Sequence, residues 1–197
     1  MNGEKKRSAV FLDRDGVILE LVDYLHRTED LRLIPGMGEA LSALNRAGML
    51  VIVITNQSGV ARGILSEDEL HELHKFMEAQ LAEYSARLDA IYYCPHHPDQ
   101  GQPPYRRACN CRKPAPGMIL RAAEEMNINL AGSTFIGDTL TDMTAAQKAG
   151  VGSTVLVLTG HGSAEYAALQ SSNTAPTSTA LDAPTAIHVL LETGRKI

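Results

Sequence analysis

Asp13 and Asp15 stand one residue apart in Phe11-Leu12-Asp13-Arg14-Asp15-Gly16-Val17, directly after the apolar run Ala9–Leu12. Two acids this close repel unless a cation lies between them or one keeps its proton. A magnesium ion would use the first outcome and a proton-transfer role the second. Taken alone, the pattern is also that of a β-turn with solvated aspartates, so its meaning depends on the rest of the chain. Thr55-Asn56-Gln57-Ser58-Gly59 offers small polar side chains and backbone amides that suit anionic oxygens. Cys111-Arg112-Lys113-Pro114 brings two adjacent cations, and Gly137-Asp138-Thr139-Leu140-Thr141-Asp142 adds two acids one helical turn apart. A hard metal takes carboxylate and carbonyl oxygens. A phosphoryl group in transfer needs positive charge at its equatorial oxygens. Asp13 is then the candidate nucleophile, forming an aspartyl-phosphate. Asp15 is the candidate acid for the leaving oxygen and afterwards the base for water. Asp142 is placed to orient a lysine or a metal-bound water.

A second constellation is Cys94-Pro95-His96 followed by Cys109-Asn110-Cys111. The pairs C-x-H and C-x-C supply four ligands and use all three cysteines, which suits a closed structural zinc site. His97 competes with His96, and the C-x-H spacing favours His96. Such a site would staple residues 94–116, a Pro-, Gly- and Arg-rich loop too long to stand without support. It would also hold Arg112 and Lys113 in place.

The elements that must carry these residues alternate. Strand-like runs are Ala9–Leu12, Leu50–Thr55, Ala90–Cys94, Ser133–Gly137 and Thr154–Leu158. Ala40, Leu41, Leu44 and Ala47 mark one helix. Ser66 and Glu69 form a capping box ahead of Leu70, Leu73, Met77, Leu81 and Tyr84. Met118, Ile119, Ala122 and Met126 mark a third helix, and Thr141–Ala149 a fourth, with Gly150 at its C-terminal cap. The alternation predicts an α/β, doubly wound, mainly parallel sheet. Asp13, Asp15, Thr55 and Asp138 then fall at strand carboxyl ends, where such sheets bind ligands. Residues 163–185, rich in Ala, Ser and Thr, read as a mobile surface segment, and Ile187–Leu191 as a short closing element. His71 and His74 on the second helix, His161 in a Gly-rich turn, and His26 and His188 receive no chemical role.

The chain has 197 residues, 44% of them hydrophobic, which fits a single domain. A net charge of −5 gives no basic footprint for nucleic acid, and no apolar run approaches a membrane span. The expectation is a cytoplasmic monomer with a small anionic substrate.

The order Asp-x-Asp-Gly, Thr-Asn, Lys-Pro, Gly-Asp-x-x-x-Asp resembles the haloacid dehalogenase (HAD) superfamily over roughly residues 8–160. That resemblance implies a HAD-like Rossmannoid fold with no large cap domain. It implies Asp13 as nucleophile, Asp15 as acid/base, and Thr55 and Lys113 on the phosphoryl group. Magnesium would be held by Asp13, the Asp15 main-chain carbonyl and Asp138. Phe-Leu-Asp-Arg-Asp-Gly, Thr-Asn-Gln-Ser-Gly-Val-Ala-Arg-Gly, Cys-Pro-His-His-Pro and Cys-x-Cys-Arg-Lys-Pro are similar to the superfamily's heptose-bisphosphate phosphatase branch, which serves bacterial envelope glycans. Histidinol-phosphate phosphatases share the zinc loop in a shorter form. The branch implies a small phosphorylated sugar as substrate, met by Tyr24, Thr55, Asn56, Gln57, Ser58, Arg112 and Lys113. Two positions depart from it: Val17 replaces a threonine, and Thr139 replaces a lysine that would add a cation near the substrate. A zinc-containing binding module without catalysis is the reading from a different class.

Overall fold

A computed structural model describes residues 6–169 and 175–193. Its framework is one parallel sheet in the order β3-β2-β1-β4-β5-β6. The strands are β1 (Ala9–Leu12), β2 (Leu50–Asn56), β3 (Ala90–Cys94), β4 (Thr134–Gly137), β5 (Ser153–Val157) and β6 (Ser178–Ala180). The helices are α1 (Met37–Arg46), α2 (Ser58–Ala61), α3 (Glu67–Ala82), α4 (Gly117–Glu125), α5 (Leu140–Ala149), α6 (Gly162–Ala168) and α7 (Ala183–Thr193).

The central strands are continuous apolar runs because both of their faces are covered. Val10 and Leu12 of β1, with Val51 and Val53 of β2, pack on one face against α1, α3 and α7. Ala9 and Phe11, with Ile52 and Ile54, turn to the other face against α4 and α5. There Phe11 stacks on Phe135 with ring centroids 6.4 Å apart. On α3, Ser66 and Glu69 close the expected capping box, and Leu70, Leu73, Met77 and Leu81 are buried. Tyr84 and Ala47 fall past their helix ends and are exposed.

Chain order reverses at β1: β2 lies on one side of it and β4 on the other. That creates the crevice above the strand carboxyl ends where doubly wound sheets take ligands. The register pairs Leu12 of β1 with Ile136 of β4 and Val53 of β2. Asp13 and Asp138 therefore leave neighbouring strands at nearly the same height.

The stretch 163–185, read from the sequence as a mobile surface segment, carries elements that the sequence did not signal. In its described parts this stretch forms α6 and the edge strand β6, which pairs in parallel with β5; residues 170–174 lie outside the described residues. β6 is the three-residue Ser-Thr-Ala, too short and too small for an alternation signal. Ile187–Leu191 belongs to the 11-residue α7, whose Ala183, Ala186, Ile187 and Leu190 are buried against α1 and the sheet.

Candidate active site

The polar residues of the crevice are set by the strand ends beneath them. Lys113 comes from the long loop after β3 and is buried over the sheet. Its ammonium reaches Asp142 Oδ1 at 2.7 Å, the Ile54 carbonyl at 2.8 Å and Asp13 Oδ1 at 3.0 Å. The Ile54 contact is a hydrogen bond and the two carboxylate contacts are ion pairs. Asn56 fixes the main chain of Lys113 from both sides: its Nδ2 donates to the Lys113 carbonyl at 3.1 Å, and its Oδ1 accepts the Lys113 N–H at 3.0 Å.

Asp142 is held equally firmly. Its Oδ2 accepts the Thr139 N–H at 3.1 Å and the Thr139 hydroxyl at 2.7 Å, closing a capping box at the start of α5. Thr139, where the family resemblance would put lysine, thus acts on the carboxylate that braces Lys113. Asp138 accepts the His161 N–H through Oδ2 at 2.8 Å. Gly16 and Gly160 close over that same oxygen, both at positive φ (77° and 55°), and a Cβ on either would lie 2.4 or 2.2 Å from it. Side chains are excluded from both turns.

Asp13, Asp138 and Asp142 bring carboxylate oxygens within 4.8 Å of one another, all buried. Against three carboxylates stands the one ammonium of Lys113, which leaves two negative charges uncompensated. Burial lifts Asp13 to about 7, with Asp142, Asp138 and Asp15 adding to it against the pull of Lys113. Burial and then Asp142 lift Asp138 to about 7. Burial disfavours the charge on Lys113, but Asp13 and Asp142 outweigh it and hold the ammonium above the ordinary lysine range. Two protons can balance the site, and so can one hard divalent cation. The oxygen donors suit magnesium in both type and charge.

Asp15 is placed apart from this cluster. It pairs with the buried Arg14 at 2.9 Å, accepts from Gln57 Nε2 at 2.9 Å, and faces a cavity of about 470 Å³. Leu21, Tyr24, Asn56, Gln57, Ser58 and His161 are among the lining residues. Thr55 lies beneath, fully buried, with its hydroxyl accepting from Gln57 Nε2 at 2.8 Å. Arg112 is outside the wall of this cavity; its Nη1 donates to the His96 carbonyl at 3.2 Å.

The second cluster gathers Cys94, His96, Cys109 and Cys111 as expected, with donor atoms within 4.8 Å of one another. Cys111 Sγ is 3.2 Å from both Cys94 Sγ and Cys109 Sγ and 3.4 Å from His96 Nδ1. Cys94 Sγ is 3.6 Å from Cys109 Sγ and 3.7 Å from His96 Nδ1. A tetrahedral ion with metal–sulfur bonds of about 2.3 Å needs edges of roughly 3.8 Å, close to these separations. The cysteines are free, so the cluster can bind a metal. His97 does not join them, because its Nδ1 accepts the N–H groups of Asp99 and Gln100.

Sequence reasoning missed three residues. Arg14 sits between two acids, a position that gives no sign of burial. His74 of α3, given no chemical role from the sequence, is buried and bonded to Arg14 at 3.2 Å. The helical spacing His74, Met77, Leu81 was the available signal. His161, assigned no role, lines the cavity and supplies the N–H that steadies Asp138.

Comparison with known proteins adds three findings. A family model described as HAD-hydrolase-like matches residues 110–183. The D-glycero-beta-D-manno-heptose-1,7-bisphosphate 7-phosphatase of Vibrio cholerae is 47% identical over 154 residues, covering 78% of this chain and 83% of that protein. The enzyme of the same name from Escherichia coli K12 is 44% identical over 156 residues, covering 79% and 82%. Among solved structures, D,D-heptose 1,7-bisphosphate phosphatase from B. bronchiseptica, complexed with magnesium and phosphate, superposes with a TM-score of 0.83 at 34% identity. That match covers 94% of this chain and 99% of the other.

The raised carboxyls carry a test of the cation site. A carboxyl whose folded pKa is near 7 instead of 3.8 favours folding at low pH, and loses that contribution as pH climbs between the two values. Protein without magnesium should therefore lose stability from pH 4 toward 7 through these groups. Magnesium should raise Tm more at pH 8 than at pH 5. Thermal melts with and without magnesium check this; an increment that is absent, or larger at pH 5, would remove the cation from Asp13 and Asp138.

Proposed function

The chain belongs to the D-glycero-beta-D-manno-heptose-1,7-bisphosphate 7-phosphatase family of HAD-like hydrolases, and on that premise we propose that Asp13 attacks the 7-phosphate and Asp15 moves the proton. The reaction is hydrolysis of a phosphoric monoester on D-glycero-D-manno-heptose 1,7-bisphosphate. The observation that carries the mechanism is the buried Lys113, which holds Asp13 through Oδ1. The Arg14 N–H donates to that same oxygen at 2.7 Å. Oδ2 is then the atom that meets phosphorus.

In the first step the Asp13 oxygen bonds phosphorus as the ester P–O bond breaks. The bond's electron pair goes to the sugar oxygen, which takes the proton of Asp15. In the second, Asp15 receives a proton from water while the water oxygen bonds phosphorus, and the Asp13–phosphorus bond breaks. Asp13 is returned as carboxylate and Asp15 as acid. Lys113 keeps positive charge beside the phosphoryl oxygens throughout, at a site from which bulk water is largely excluded. Thr55 contributes its hydroxyl from below. Magnesium would be held by Asp13, the Asp15 main-chain carbonyl and Asp138, and when bound supplies positive charge that neutralises the phosphoryl oxygens. That the B. bronchiseptica relative was solved with magnesium and phosphate supports a magnesium-dependent phosphatase reading.

Tyr24, Asn56, Gln57 and Ser58, which line the cavity, are assigned to the sugar substrate, and Arg112, outside its wall, is assigned to it on the family resemblance alone. Tyr24 adopts a left-handed conformation at φ 49°, with the Arg62 guanidinium 5.4 Å above its ring. Asn56 also has the task of setting Lys113. Zinc on Cys94, His96, Cys109 and Cys111 is structural, because four protein ligands leave no open position. The ion ties Cys111 to β3 through Cys94, and Arg112 and Lys113 follow directly. The loop is thus one part of a single domain. Among the described residues no helix is long and apolar enough to cross a membrane. A cytoplasmic monomer fits the free thiols and the acidic charge.

Phosphate release from both anomers of the heptose bisphosphate, with histidinol phosphate alongside, is expected to depend on magnesium and to favour one heptose anomer. Asp13→Asn should abolish it while the fold and zinc remain. Faster turnover of histidinol phosphate would overturn the substrate, and full activity in Asp13→Asn would overturn the nucleophile. Stripping zinc should raise KM and lower kcat together, since it frees Arg112 and Lys113. Kinetics unchanged in zinc-free protein would contradict the tethering role.

A further inference from the structure

Arg14 is a charged side chain only 2% exposed, and every contact it makes leads to Asp15 or to a group that orients it. Its Nε and Nη2 donate to Asp15 Oδ1 at 3.1 and 2.9 Å, and Nη2 reaches Oδ2 at 2.9 Å. Nη2 also donates to Gln57 Oε1 at 2.9 Å, while Gln57 Nε2 returns to Asp15 Oδ2 at 2.9 Å. Arginine, glutamine and aspartate so form a closed ring. Reversing the Gln57 amide would set its N–H₂ against the guanidinium and its oxygen against the carboxylate, so one orientation is permitted.

The remaining arm of the guanidinium is fixed from outside the ring. Nη1 donates to His74 Nε2, which must therefore be the unprotonated nitrogen of the imidazole. Burial, then the charge of Arg14, pushes His74 down to about 3, so it stays an acceptor. The imidazole is steadied in turn by the Tyr93 ring, edge-on at 5.9 Å. Tyr93 donates its hydroxyl to Glu67 at 2.5 Å, and Glu67 also accepts from Tyr105 of the zinc loop at 2.7 Å.

We propose that Arg14 is a positioning residue for the Asp15 carboxyl, and that His74 of α3 sets the guanidinium that does so. This rests on Asp15 being the acid/base of the reaction. A planar fork holds a carboxyl in both position and rotation, which a lysine ammonium does not. Its effect on rate falls on steps in which Asp15 carries a proton. The first bond cleavage is one of them when the leaving group is a sugar alkoxide. It is not when the leaving group is acetate, which departs as a stable anion.

The test compares kcat/KM for the heptose bisphosphate and for acetyl phosphate, a ratio that reports phosphorylation of Asp13 and not the later hydrolysis. The proteins are the zinc- and magnesium-loaded parent, Arg14→Lys, His74→Phe, His74→Gln and Asp15→Asn. His74→Phe keeps a ring against Tyr93 and removes the acceptor; His74→Gln keeps an acceptor. Arg14→Lys and His74→Phe should lose about ten- to a hundred-fold on the sugar substrate, the order of effect of misplacing a catalytic group, and little on acetyl phosphate. His74→Gln should stay near the parent on both. Equal losses on the two substrates, or none on the sugar, would overturn the positioning role. Should Arg14→Lys fail to fold, the His74 pair carries the comparison. Asp15→Asn separates the two ideas. A split in that variant with none in the others refutes positioning alone, and no split in Asp15→Asn refutes the acid/base assignment on which the proposal rests.

Discussion

A buried ammonium with three acceptors governs this structure. Lys113 meets Asp13 from the end of β1, the Ile54 carbonyl from β2 and Asp142 from α5. Three separate elements and the long loop therefore converge on one charge. Removing a partner from a buried ion pair costs roughly 3–5 kcal/mol, because the other charge is left without compensation. Two further contacts brace this pair: Asn56 holds the Lys113 main chain, and Thr139, in capping α5, also holds Asp142. With all three carboxyls ionised the same charge count leaves the crevice two units too negative, a balance that one divalent cation would restore.

Asp13 and Asp15 are neighbours in sequence with different surroundings. Asp13 shares the low-dielectric floor with Lys113, Asp138 and Asp142. Asp15 sits on the cavity wall with its own counter-ion, Arg14. Separate environments suit two like acids to the separate tasks proposed for them, one nucleophilic and one for proton transfer. The Cys/His cluster joins this arrangement through the chain itself, since Cys111 is followed at once by Arg112 and Lys113.

Much of this was legible in the residues. The β1, β2, β4 and β5 runs could be read because central parallel strands are apolar throughout. The capping box of α3 and the gathering of the Cys94/His96 and Cys109/Cys111 pairs could be read because their spacing is local. What could not be read depends on tertiary neighbours. The three residues of β6 are ordered by pairing with β5, not by their own pattern. Arg14 and His74 look like surface residues until α3 packs over β1 and brings them together. Asn56 and Thr139 were legible as polar groups at strand ends, but their partners are main-chain and carboxylate groups that spacing alone does not identify.

The claim on which everything else turns is that Asp13 becomes covalently phosphorylated. Asp15→Asn protein, slowed in the hydrolytic half of the reaction, would be mixed with magnesium and acetyl phosphate, whose leaving group needs no proton from Asp15, then quenched in acid, digested and examined by mass spectrometry. The expected result is one phosphoryl group on the peptide carrying Asp13. Free phosphate accumulating with that peptide unmodified at every time point would contradict it and point to direct attack by water.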